Sequence, residues 1–394
     1  MLSTGFSRLS LLRTAALGVA MAVLAACGGP IGGAGSQGVA VDVNAPVRVA
    51  LLVPYGTGDP GREQIARSLE NAARLAQADL RDATIDLAVY PSGGTSAGGQ
   101  AAAEQAVAEG AKILVGPLFS TETAGAQPVA ARAGLSVLSF SNNTQVAGSN
   151  VFILGTSFEN TADRLVAYGL AHGLRSFGVV YPTGLEGETA RDAVRAAIAA
   201  RGATLAGTQS YNLSVESIQA AAGPAAATLS GAGAQAVILT DGPSGGLAFI
   251  SEGLRANGLT AAQFLGMQRW DVSAEALAVP ALQGGAFAAP DPNLVAAFNG
   301  RYQTAYGETP HELAGLAYDG VAAVGALIAQ ARSQGGSPFS TQRLTQPAGF
   351  AGVNGAFRFS SNGRIQRNLA MIEVRNGQAV VAERAARSFD SVGF

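Results

Sequence analysis

The regular alternation of β-rich apolar runs with helical segments constrains the fold of this chain more than any other feature. The run Val47–Val53 (VRVALLV) is followed by turn residues and then by apolar residues that recur at helical spacing. The same unit repeats along the chain, with predicted strands at 85–90, 112–115, 136–140, 177–181, 204–211 and 236–240 and helices at 101–109, 124–133, 161–172, 188–201 and 217–229. Strands that alternate with helices pair in parallel through right-handed crossovers, with helices on both faces of the sheet. The sequence therefore predicts an α/β protein of two Rossmann-like lobes, each with its own parallel sheet.

The last third of the chain has a different pattern. Short strands are predicted at 264–267 and 285–288, helices at 293–306 and 313–332, and a β-ribbon over 352–384. Its turns fall at Asn362-Gly363 and Asn376-Gly377, and Asn-Gly between apolar residues is a strong hairpin signal. This order suits a chain that returns to the first lobe and then crosses again through a multi-strand hinge. We therefore predict lobe I at 47–155 plus 284–340 and lobe II at 156–283 plus 341–394.

Composition narrows the function classes. The 394 residues are 48% hydrophobic and 13% charged. A chain of this length is longer than one hydrophobic core usually holds, so two lobes are expected. A net charge of −2 gives no basic footprint, so nucleic acid is excluded as the expected partner. The two histidines, His172 and His311, have no metal-ligand spacing, and we expect neither a metal nor a cofactor.

The N-terminus has the layout of an export signal. Arg8 and Arg13 precede an apolar run at 15–24, and small residues follow, so residues 1–26 are predicted to be a signal peptide. The run is too short to span a bilayer comfortably, since roughly 20 apolar residues are needed. The glycine-rich stretch after Cys27 has almost no side chains able to pack, and we expect a flexible tether over 27–46.

The sequence Leu24-Ala25-Ala26-Cys27 resembles the lipobox of bacterial lipoproteins. That resemblance implies that Cys27 is acylated and becomes the new N-terminus of a periplasmic protein anchored to a membrane. Gly28, in place of an aspartate, is the arrangement that in lipoproteins usually permits sorting to the outer membrane. The alternative is a free or buried thiol at an ordinary cleavage site.

Two further motifs are similar to enzyme signatures. The loop 56–61 (GTGDPG) matches a dinucleotide fingerprint, but the second strand ends in Tyr90-Pro91 where an acidic residue would hold the ribose. The segment 242–246 (GPSGG) matches a nucleophile elbow at Ser244, but the required histidine, His311, is expected in the other lobe. We therefore expect turn-forming glycines at 56–61, no catalytic triad at Ser244 and no enzyme activity.

Five segments, in this order and spacing, resemble the type I periplasmic binding proteins and within them the leucine/isoleucine/valine-binding branch. They are 49–54 (VALLVP), 113–120 (ILVGPLFS), 139–143 (SFSNN), 317–320 (AYDG) and 350–359 (FAGVNGAFRF). The resemblance implies two lobes that close on a small polar, amino-acid-like ligand, at the carboxyl ends of the strands, for delivery to an ABC permease.

The resemblance also implies which residues bind the ligand. They are Tyr55, Ser120, Thr121, Ser141, Asn142 and Asn143 in lobe I and Tyr181, Asp241, Gln268 and Trp270 in lobe II. Five of them have a structural alternative: Ser120 and Thr121 as helix caps, Asn142 and Asn143 as turn residues, and Trp270, the only tryptophan, as core.

One position departs from the family pattern. Members that bind amino acids place a carboxylate near Gln268 to pair with the ligand's ammonium, whereas an amide offers only a neutral hydrogen bond. Asp241 or Asp271 could take over this role, and the resemblance therefore does not fix a branched-chain amino acid as the ligand.

The segments 51–54 and 115–119 are also similar to the binding-protein-fold domain of lipoproteins that activate penicillin-binding proteins. That second resemblance implies a different partner, a peptidoglycan synthase contacted through the protein surface. The two-lobed pattern fits both alternatives.

Overall fold

The computed structural model describes Met1 and residues 39–389. Residues 2–26 of the predicted signal peptide and residues 27–38 of the predicted tether, which include Cys27, lie outside the described residues. Within 39–389 the chain forms two separate multi-stranded sheets and one small hairpin. The α/β class and the mostly parallel strand pairing predicted from the sequence are confirmed.

Lobe I is built on a five-stranded parallel sheet with the order β2-β1-β3-β4-β5. Its strands and connecting helices are β1 (Val47–Val53), α1 (Pro60–Asp79), β2 (Ile85–Pro91), α2 (Ser96–Ala108), β3 (Ile113–Val115), α3 (Ser120–Arg132), β4 (Val137–Ser139) and β5 (Val151–Ile153). Both faces of the central strands are covered, which explains why β1 is apolar except for Arg48 and why its last five residues are 0% exposed.

Lobe II contains a seven-stranded sheet with the order β14-β13-β10-β9-β8-β6-β7. Its first part comprises α4 (Phe158–Ala171), β6 (Ser176–Pro182), α5 (Leu185–Ala200), β7 (Thr204–Tyr211), α6 (Val215–Gly231), β8 (Ala236–Leu239), α7 (Leu247–Ala256), β9 (Gln263–Gly266), α8 (Ala274–Ala278) and β10 (Ala286–Ala289). The strands β6 to β10 are parallel, whereas β13 pairs antiparallel with β10 and β14 pairs antiparallel with β13.

The last part of the chain divides between the lobes. It comprises α9 (Pro292–Tyr306), α10 (Ala314–Gln334), α11 (Thr341–Leu344), β11 (Phe357–Phe359), β12 (Ile365–Arg367), β13 (Ala370–Arg375) and β14 (Gln378–Glu383). The helices α9 and α10 and the β11–β12 hairpin contribute to the core of lobe I. The ring of Phe359 lies 5.4 Å from that of Phe152 in β5.

These sheets shift the predicted lobe boundaries. The sequence pattern predicts residues 284–289 in lobe I, but β10 lies inside the second sheet, between β9 and β13. The same pattern predicts residues 341–367 in lobe II, but Phe350, Phe357 and Ile365 pack in the core of lobe I. The chain therefore passes between the lobes at 154–157, at 290–291 and at 368–369.

Arg367, at the third crossing, is bonded to both lobes. Its Nη1 donates to Asp319 Oδ2 at 2.6 Å and to the Gly355 carbonyl at 3.2 Å, and its Nη2 donates to the Leu154 carbonyl at 3.2 Å. Its backbone N–H donates to Asn160 Oδ1 of α4 at 2.7 Å, and Asn160 Nδ2 donates back to the Arg367 carbonyl at 3.1 Å. The arginine thus fixes the hinge from within, since both side chains of the ion pair are 0% exposed.

The helix α10 packs against α1 and β3 and contributes buried residues to the core of lobe I. Among the described helices it alone is long and apolar enough to cross a membrane, but 72% of its apolar window is buried inside the fold. Its apolar composition is therefore accounted for by the core.

The end of the predicted tether is not free. Val39, Val41 and Val43 pack half-buried against the core of lobe I. Arg332 of α10 donates to the Val43 carbonyl through Nη2 at 2.7 Å. The prediction of a flexible segment over 27–46 is therefore wrong for residues 39–43, because alternate valines give this stretch an apolar face that packs.

Candidate functional site

A cavity of about 440 Å³ lies between the two lobes, beside the crossings. Loops after β3 and β4 bound it from lobe I, and residues after β9 and β10 bound it from lobe II. Its wall is mainly apolar, and the large side chains are Phe119, Phe140, Phe158, Met267, Leu313 and Leu316. A volume in the range of about 300 to 1,000 Å³ with few polar groups is typical of small-molecule sites.

The polar groups from lobe I follow β4. Ser141 and Asn142, both predicted to bind ligand, line the cavity. Ser141 is 5% exposed, and its hydroxyl accepts a hydrogen bond from the Asn143 N–H at 3.1 Å. Asn142 is exposed, so its amide is accessible from the cleft.

The charged groups come from positions that the sequence analysis did not select. Arg269 is the third residue after β9 and lines the cavity. It donates from Nε and Nη2 to the two carboxylate oxygens of Asp271, each at 3.0 Å. Glu312, just before α10, lines the same cavity from lobe I. Burial lowers the pKa of Arg269, but its bonds to Asp271 and the nearby Glu312 charge outweigh burial and raise it. The guanidinium therefore stays charged.

Four predicted binding residues of lobe I, Tyr55, Ser120, Thr121 and Asn143, lie outside this cavity. The hydroxyl of Tyr55 donates to Glu70 at 2.9 Å, and burial together with that bond raises the pKa of Tyr55. Ser120 and Thr121 form the first turn of α3 and do not line the cavity. The N-terminus of α3 is also occupied, since the buried carboxylate of Glu122 accepts from the Phe119 N–H at 2.9 Å.

Asn143 caps a turn instead of facing the cavity. Its side-chain oxygen accepts from the Gln145 N–H at 2.9 Å, at the start of a short 3₁₀ helix. The structural alternative for this asparagine is therefore the one observed.

The predicted lobe II residues have structural partners. Tyr181 accepts from Arg191 Nη1 at 3.1 Å and stacks under its guanidinium. Asp241 is 7% exposed, and its carboxylate accepts from the Gly242 N–H and from the Tyr211 hydroxyl, each at 2.8 Å. Burial and the Asp241 charge raise the pKa of Tyr211. These bonds organise the loop after β8, so Asp241 is not available to a ligand ammonium.

Trp270 and Gln268 differ in where they lie. Trp270 is 0% exposed in the core of lobe II, with its ring 5.6 Å from that of Phe287. Gln268 lies in a shallower groove next to the cavity and donates to Glu186 at 3.3 Å. The tryptophan is therefore core, and the glutamine lies at the outer rim.

The enzyme-like motifs also have structural explanations. In the loop 56–61, the N–H groups of Gly56 and Thr57 donate to Glu63 Oε1 at 2.8 and 3.0 Å, so a carboxylate occupies the donors that a phosphate would need. Ser244 lines the shallower groove from lobe II, while Nδ1 of His311 accepts from the Leu313 N–H at 3.2 Å in lobe I. Residues 39–389 contain no cluster of side chains suited to hold a metal ion.

The missed residues carried a weak signal. Arg269 adjoins Gln268, at the strand end where a charged partner for the ligand was sought, but an arginine has the opposite sign to the expected carboxylate. Glu312 belongs to no strand end, because the segment before α10 approaches the cleft only through the return of the chain to lobe I.

Comparison with solved structures supports the same architecture. A branched-chain amino acid ABC transporter protein from Rhodospirillum rubrum is 20% identical with a TM-score of 0.71, covering 86% of this chain and 100% of that one. A Desulfitobacterium hafniense substrate-binding protein in complex with Leu is 18% identical with a TM-score of 0.60, covering 86% and 100%. A solute-binding protein from R. palustris in complex with benzoate is 19% identical with a TM-score of 0.55, covering 87% and 97%. The TM-scores and coverages show a shared fold, and at these identities they show the fold alone.

Comparison at the sequence level identifies the family. No curated protein sequence matches the chain. A family model described as periplasmic binding protein matches residues 46–379, which include both sheets and the β11–β12 hairpin almost completely. The chain therefore belongs to the periplasmic binding protein family.

Proposed function

We propose that this protein is a lipid-anchored solute-binding protein that captures a small polar, amino-acid-like ligand between its lobes and delivers it to an ABC importer. The observation that carries the proposal is the inter-lobe cavity of about 440 Å³, which is bounded by strand ends of both sheets and is lined by charged as well as apolar side chains. A ligand that contacts both lobes at once stabilises the closed arrangement over the open one.

Related proteins are consistent with this ligand class. Two proteins of the same fold were solved with Leu and with benzoate, and both ligands are small carboxylates with an apolar body. The cavity of this chain offers matching surfaces, since Ser141, Asn142 and Arg269 supply polar groups beside an aromatic wall. Of the binding residues predicted from the sequence, we keep Ser141 and Asn142 and add Arg269 and Glu312.

A binding screen tests the proposal. The protein lacking residues 1–26 is mixed with a metabolite collection of amino acids, other carboxylates and amines, and its thermal unfolding is followed. A ligand at a concentration of about 100 Kd stabilises the folded state by about 2.7 kcal/mol, which gives a clear rise in Tm. Hits are then titrated by calorimetry. The absence of any hit from the whole collection would contradict solute capture.

The lipid anchor needs a separate test. Cys27→Ser removes the thiol that is proposed to be acylated. Because stable attachment depends on acyl chains, the mature protein should move from the membrane fraction into the soluble periplasm. Density separation of the two membranes then tests the outer-membrane location proposed from Gly28. Cys27→Ser protein that still sediments with membranes would contradict acylation at this residue.

A second candidate function is activation of a penicillin-binding protein through the surface of lobe II. The observation that favours it is a set of exposed large apolar side chains on the loops and first helical turns after β6, β7, β8 and β9: Leu185, Leu213, Val215, Phe249 and Val272. These strands are neighbours in one sheet, so their carboxyl-end loops lie along one edge. Exposed apolar groups that lie together are typical of protein interaction sites.

Co-purification separates the two candidates. If the surface is the functional site, Phe249→Ser combined with Leu213→Ser should abolish capture of a peptidoglycan synthase. If the cavity is the functional site, the same double variant should bind the small-molecule ligand as the unmodified protein does. Leu205→Ser, an exposed apolar residue at the opposite end of β7, is the matched control. No synthase recovered with the unmodified protein removes the second candidate.

A further inference from the structure

A second cavity, of about 330 Å³, lies at the third crossing between the lobes. Phe158 and Thr161 of α4 line the inter-lobe cavity, whereas Asn160 and Asp163 of the same helix line the second one. At 3.6 residues per turn these two pairs lie on opposite sides of α4. Among the described residues only Leu369 lines both cavities, so the second cavity is a separate space on the far side of α4.

Arginines from both lobes surround the second cavity. They come from α4, from the residue directly after α5, from the β11–β12 hairpin and from the segment after β14, and they are Arg164, Arg201, Arg358, Arg367 and Arg384. Among the described residues that line this cavity, Asp163 is the only acidic one. A concave surface with this excess of positive side chains attracts anions.

Three of these arginines already have carboxylate partners. The pairs are Arg367 with Asp319, Arg201 with Asp163, and Arg164 with Glu383. Their charges are compensated within the protein. The capacity of the cavity to hold an anion therefore depends on the other two arginines.

Arg358 of lobe I forms no ion pair among the described residues. Its Nε donates to Gln366 Oε1 at 2.6 Å and its Nη1 to the Pro347 carbonyl at 3.2 Å. One N–H of Nη1 and both of Nη2 have no partner in the described part of the chain. The guanidinium lies over the ring of Phe389, 4.4 Å from its centre, which holds it at the cavity wall.

Arg384 of lobe II is still less engaged. The one carboxylate within ion-pair distance of it in the described chain is that of Asp291, with Oδ1 4.0 Å from Nη1, too far for a hydrogen bond. All five N–H donors of Arg384 are therefore without a hydrogen-bond partner among residues 39–389. Its side chain is 65% exposed, so it can move toward a ligand.

A buried donor is an independent sign of a ligand at this place. Arg367 lines the cavity, its side chain is 0% exposed, and its Nε has no hydrogen-bond partner among the described residues. A buried donor that lacks an acceptor is costly. The adjoining cavity is the space from which an anion oxygen would supply that acceptor.

The directions of the donors favour one kind of anion. The arginines approach from two lobes and four chain segments, whereas a carboxylate presents only two oxygens in one plane. A phosphate group presents its oxygens tetrahedrally and matches the planar fork of each guanidinium. A cavity of about 330 Å³, with Ala386 and Phe389 in its wall, also has room for an organic group attached to the phosphate.

We propose that this second cavity binds a phosphate group, held between Arg358 of lobe I and Arg384 of lobe II. The phosphate contacts both lobes on the face of α4 turned away from the inter-lobe cavity, so it leaves the solute site free. A soluble phosphate ester and the head group of an anionic phospholipid share this chemistry.

Three probes test the site and identify the source of the phosphate. Calorimetry at about pH 8, where a phosphomonoester is a dianion, compares glycerol 3-phosphate with malonate, a dianion without a tetrahedral centre. Sedimentation compares phosphatidylcholine vesicles with and without phosphatidic acid. Both use the protein lacking residues 1–26. We expect glycerol 3-phosphate to bind at least about tenfold tighter than malonate, because it makes additional hydrogen bonds to charged donors.

The two probes that carry phosphate separate its sources. Binding of glycerol 3-phosphate identifies a soluble ester. Binding to vesicles with phosphatidic acid, without binding of glycerol 3-phosphate, identifies a lipid head group. Either result supports the phosphate site if the variants below weaken it.

Two variants locate the phosphate. Arg358→Gln should weaken binding by about tenfold or more, and Arg384→Gln by about threefold or more, since the second side chain is more exposed to water. Arg384 makes no hydrogen bond to the described chain, so a loss in Arg384→Gln does not come from a disturbed fold. Arg195→Gln removes the same charge from a side chain that is 54% exposed on α5 and should change nothing.

Three results overturn the proposal: no binding of either phosphate probe, equal affinity for malonate and glycerol 3-phosphate, and binding that Arg358→Gln and Arg384→Gln leave unchanged. If Arg269→Gln weakens binding as strongly as Arg358→Gln, the phosphate lies in the inter-lobe cavity and the proposal also fails.

Asp390→Asn tests an occupant from the chain itself, because Asp390 follows Phe389 in the sequence. The unmodified protein should bind the phosphate probe about as well as this variant. Binding that appears only in Asp390→Asn would assign the arginines to the chain's own carboxylate instead of a phosphate.

Discussion

The ion pair between Arg367 and Asp319 is the only one among the described residues in which both side chains are 0% exposed. Removing two charges from water costs more than their attraction returns unless further hydrogen bonds are made. Here the Val353 N–H donates to Asp319 Oδ1 at 2.6 Å, while the guanidinium donates to the carbonyls of Leu154 and Gly355. The pair therefore serves to hold three chain segments in one arrangement at the crossing between lobes.

Substitution of one partner of this pair should be far more damaging than substitution of both. Arg367→Met leaves the Asp319 carboxylate buried without its counter-charge, and we expect a loss of about 3–5 kcal/mol in the free energy of unfolding. The double variant Arg367→Met/Asp319→Leu should recover most of that loss. Urea unfolding measures both.

A surface pair provides the matched control for this cycle. Arg201 and Asp163 bond at 2.7 Å, but their side chains are 36% and 55% exposed, so Arg201→Met should cost at most about 1 kcal/mol. Equal losses for Arg367→Met and Arg201→Met would contradict the role assigned to the buried pair.

Trp270 allows a direct test of a core role against a ligand role. Its Nε1 has no hydrogen-bond partner among the described residues, so Trp270→Phe removes an unpaired buried N–H and keeps an aromatic ring against Phe287. We expect a change below about 1.5 kcal/mol in unfolding free energy and an unchanged Kd for the ligand. Met267→Ala, at the cavity wall, should weaken binding instead. A tenfold loss of affinity in Trp270→Phe would restore the ligand role.

At the scale of single elements, sequence reasoning succeeded where a local signal was strong. The turn at Asn376-Gly377 joins β13 to β14, and both residues have positive φ, 51° and 72°, as the favoured two-residue hairpin turn requires. The short strand β5 was missed, because three residues, Val151–Ile153, are too few to display a period. The helix α7 is not predicted from the sequence either, since it begins directly after the glycine-rich segment 242–246, which favours a turn.

The contact between α2 and α3 depends on glycines. A Cβ added to Gly125 would meet the backbone carbonyl of Ser96, and one added to Gly99 would meet that of Glu122. The two helix backbones therefore approach more closely than any larger residue allows. The contact also positions Glu122, whose carboxylate accepts from the Ser92 hydroxyl at 2.6 Å and the Gly94 N–H at 2.8 Å.

Adding a methyl group at this contact should destabilise the lobe. Gly125→Ala must push α2 away from α3, and overpacking of this kind costs about 1–3 kcal/mol. Gly300→Ala, on the exposed face of α9 with no atom within 4 Å of the added Cβ, should instead stabilise by up to about 1 kcal/mol through helix propensity. Denaturant unfolding of the two variants should thus give changes of opposite sign; a stabilised Gly125→Ala variant would show that the helices can separate freely.

At the scale of the whole molecule, the sequence predicts two lobes but not the distribution of the last third between them. The apolar run Ala286–Ala289 is compatible with either sheet, and only its pairing with β9 and β13 decides that it belongs to lobe II. The same limit applies to the site, because Glu312 reaches the cavity only after the chain has returned to lobe I. Long-range pairing of this kind leaves no local pattern.

The docked N-terminal segment leads to a prediction about where the folded body begins. A variant that starts at residue 38 keeps Val39, Val41 and Val43 against lobe I, whereas one that starts at residue 47 loses them together with the acceptor of Arg332. Half-burial of three valines and these hydrogen bonds amount to about 1–3 kcal/mol.

We therefore expect the variant starting at residue 38 to unfold at the same urea concentration as the protein lacking residues 1–26, and the variant starting at residue 47 to unfold earlier. Val41→Ser in the longer protein serves as a point control and should lose part of the same stability, because it places a hydroxyl against apolar neighbours. Identical midpoints for both truncations would mean that residues 39–46 belong to the tether after all, and the reach of the protein from its proposed anchor at Cys27 would be correspondingly longer.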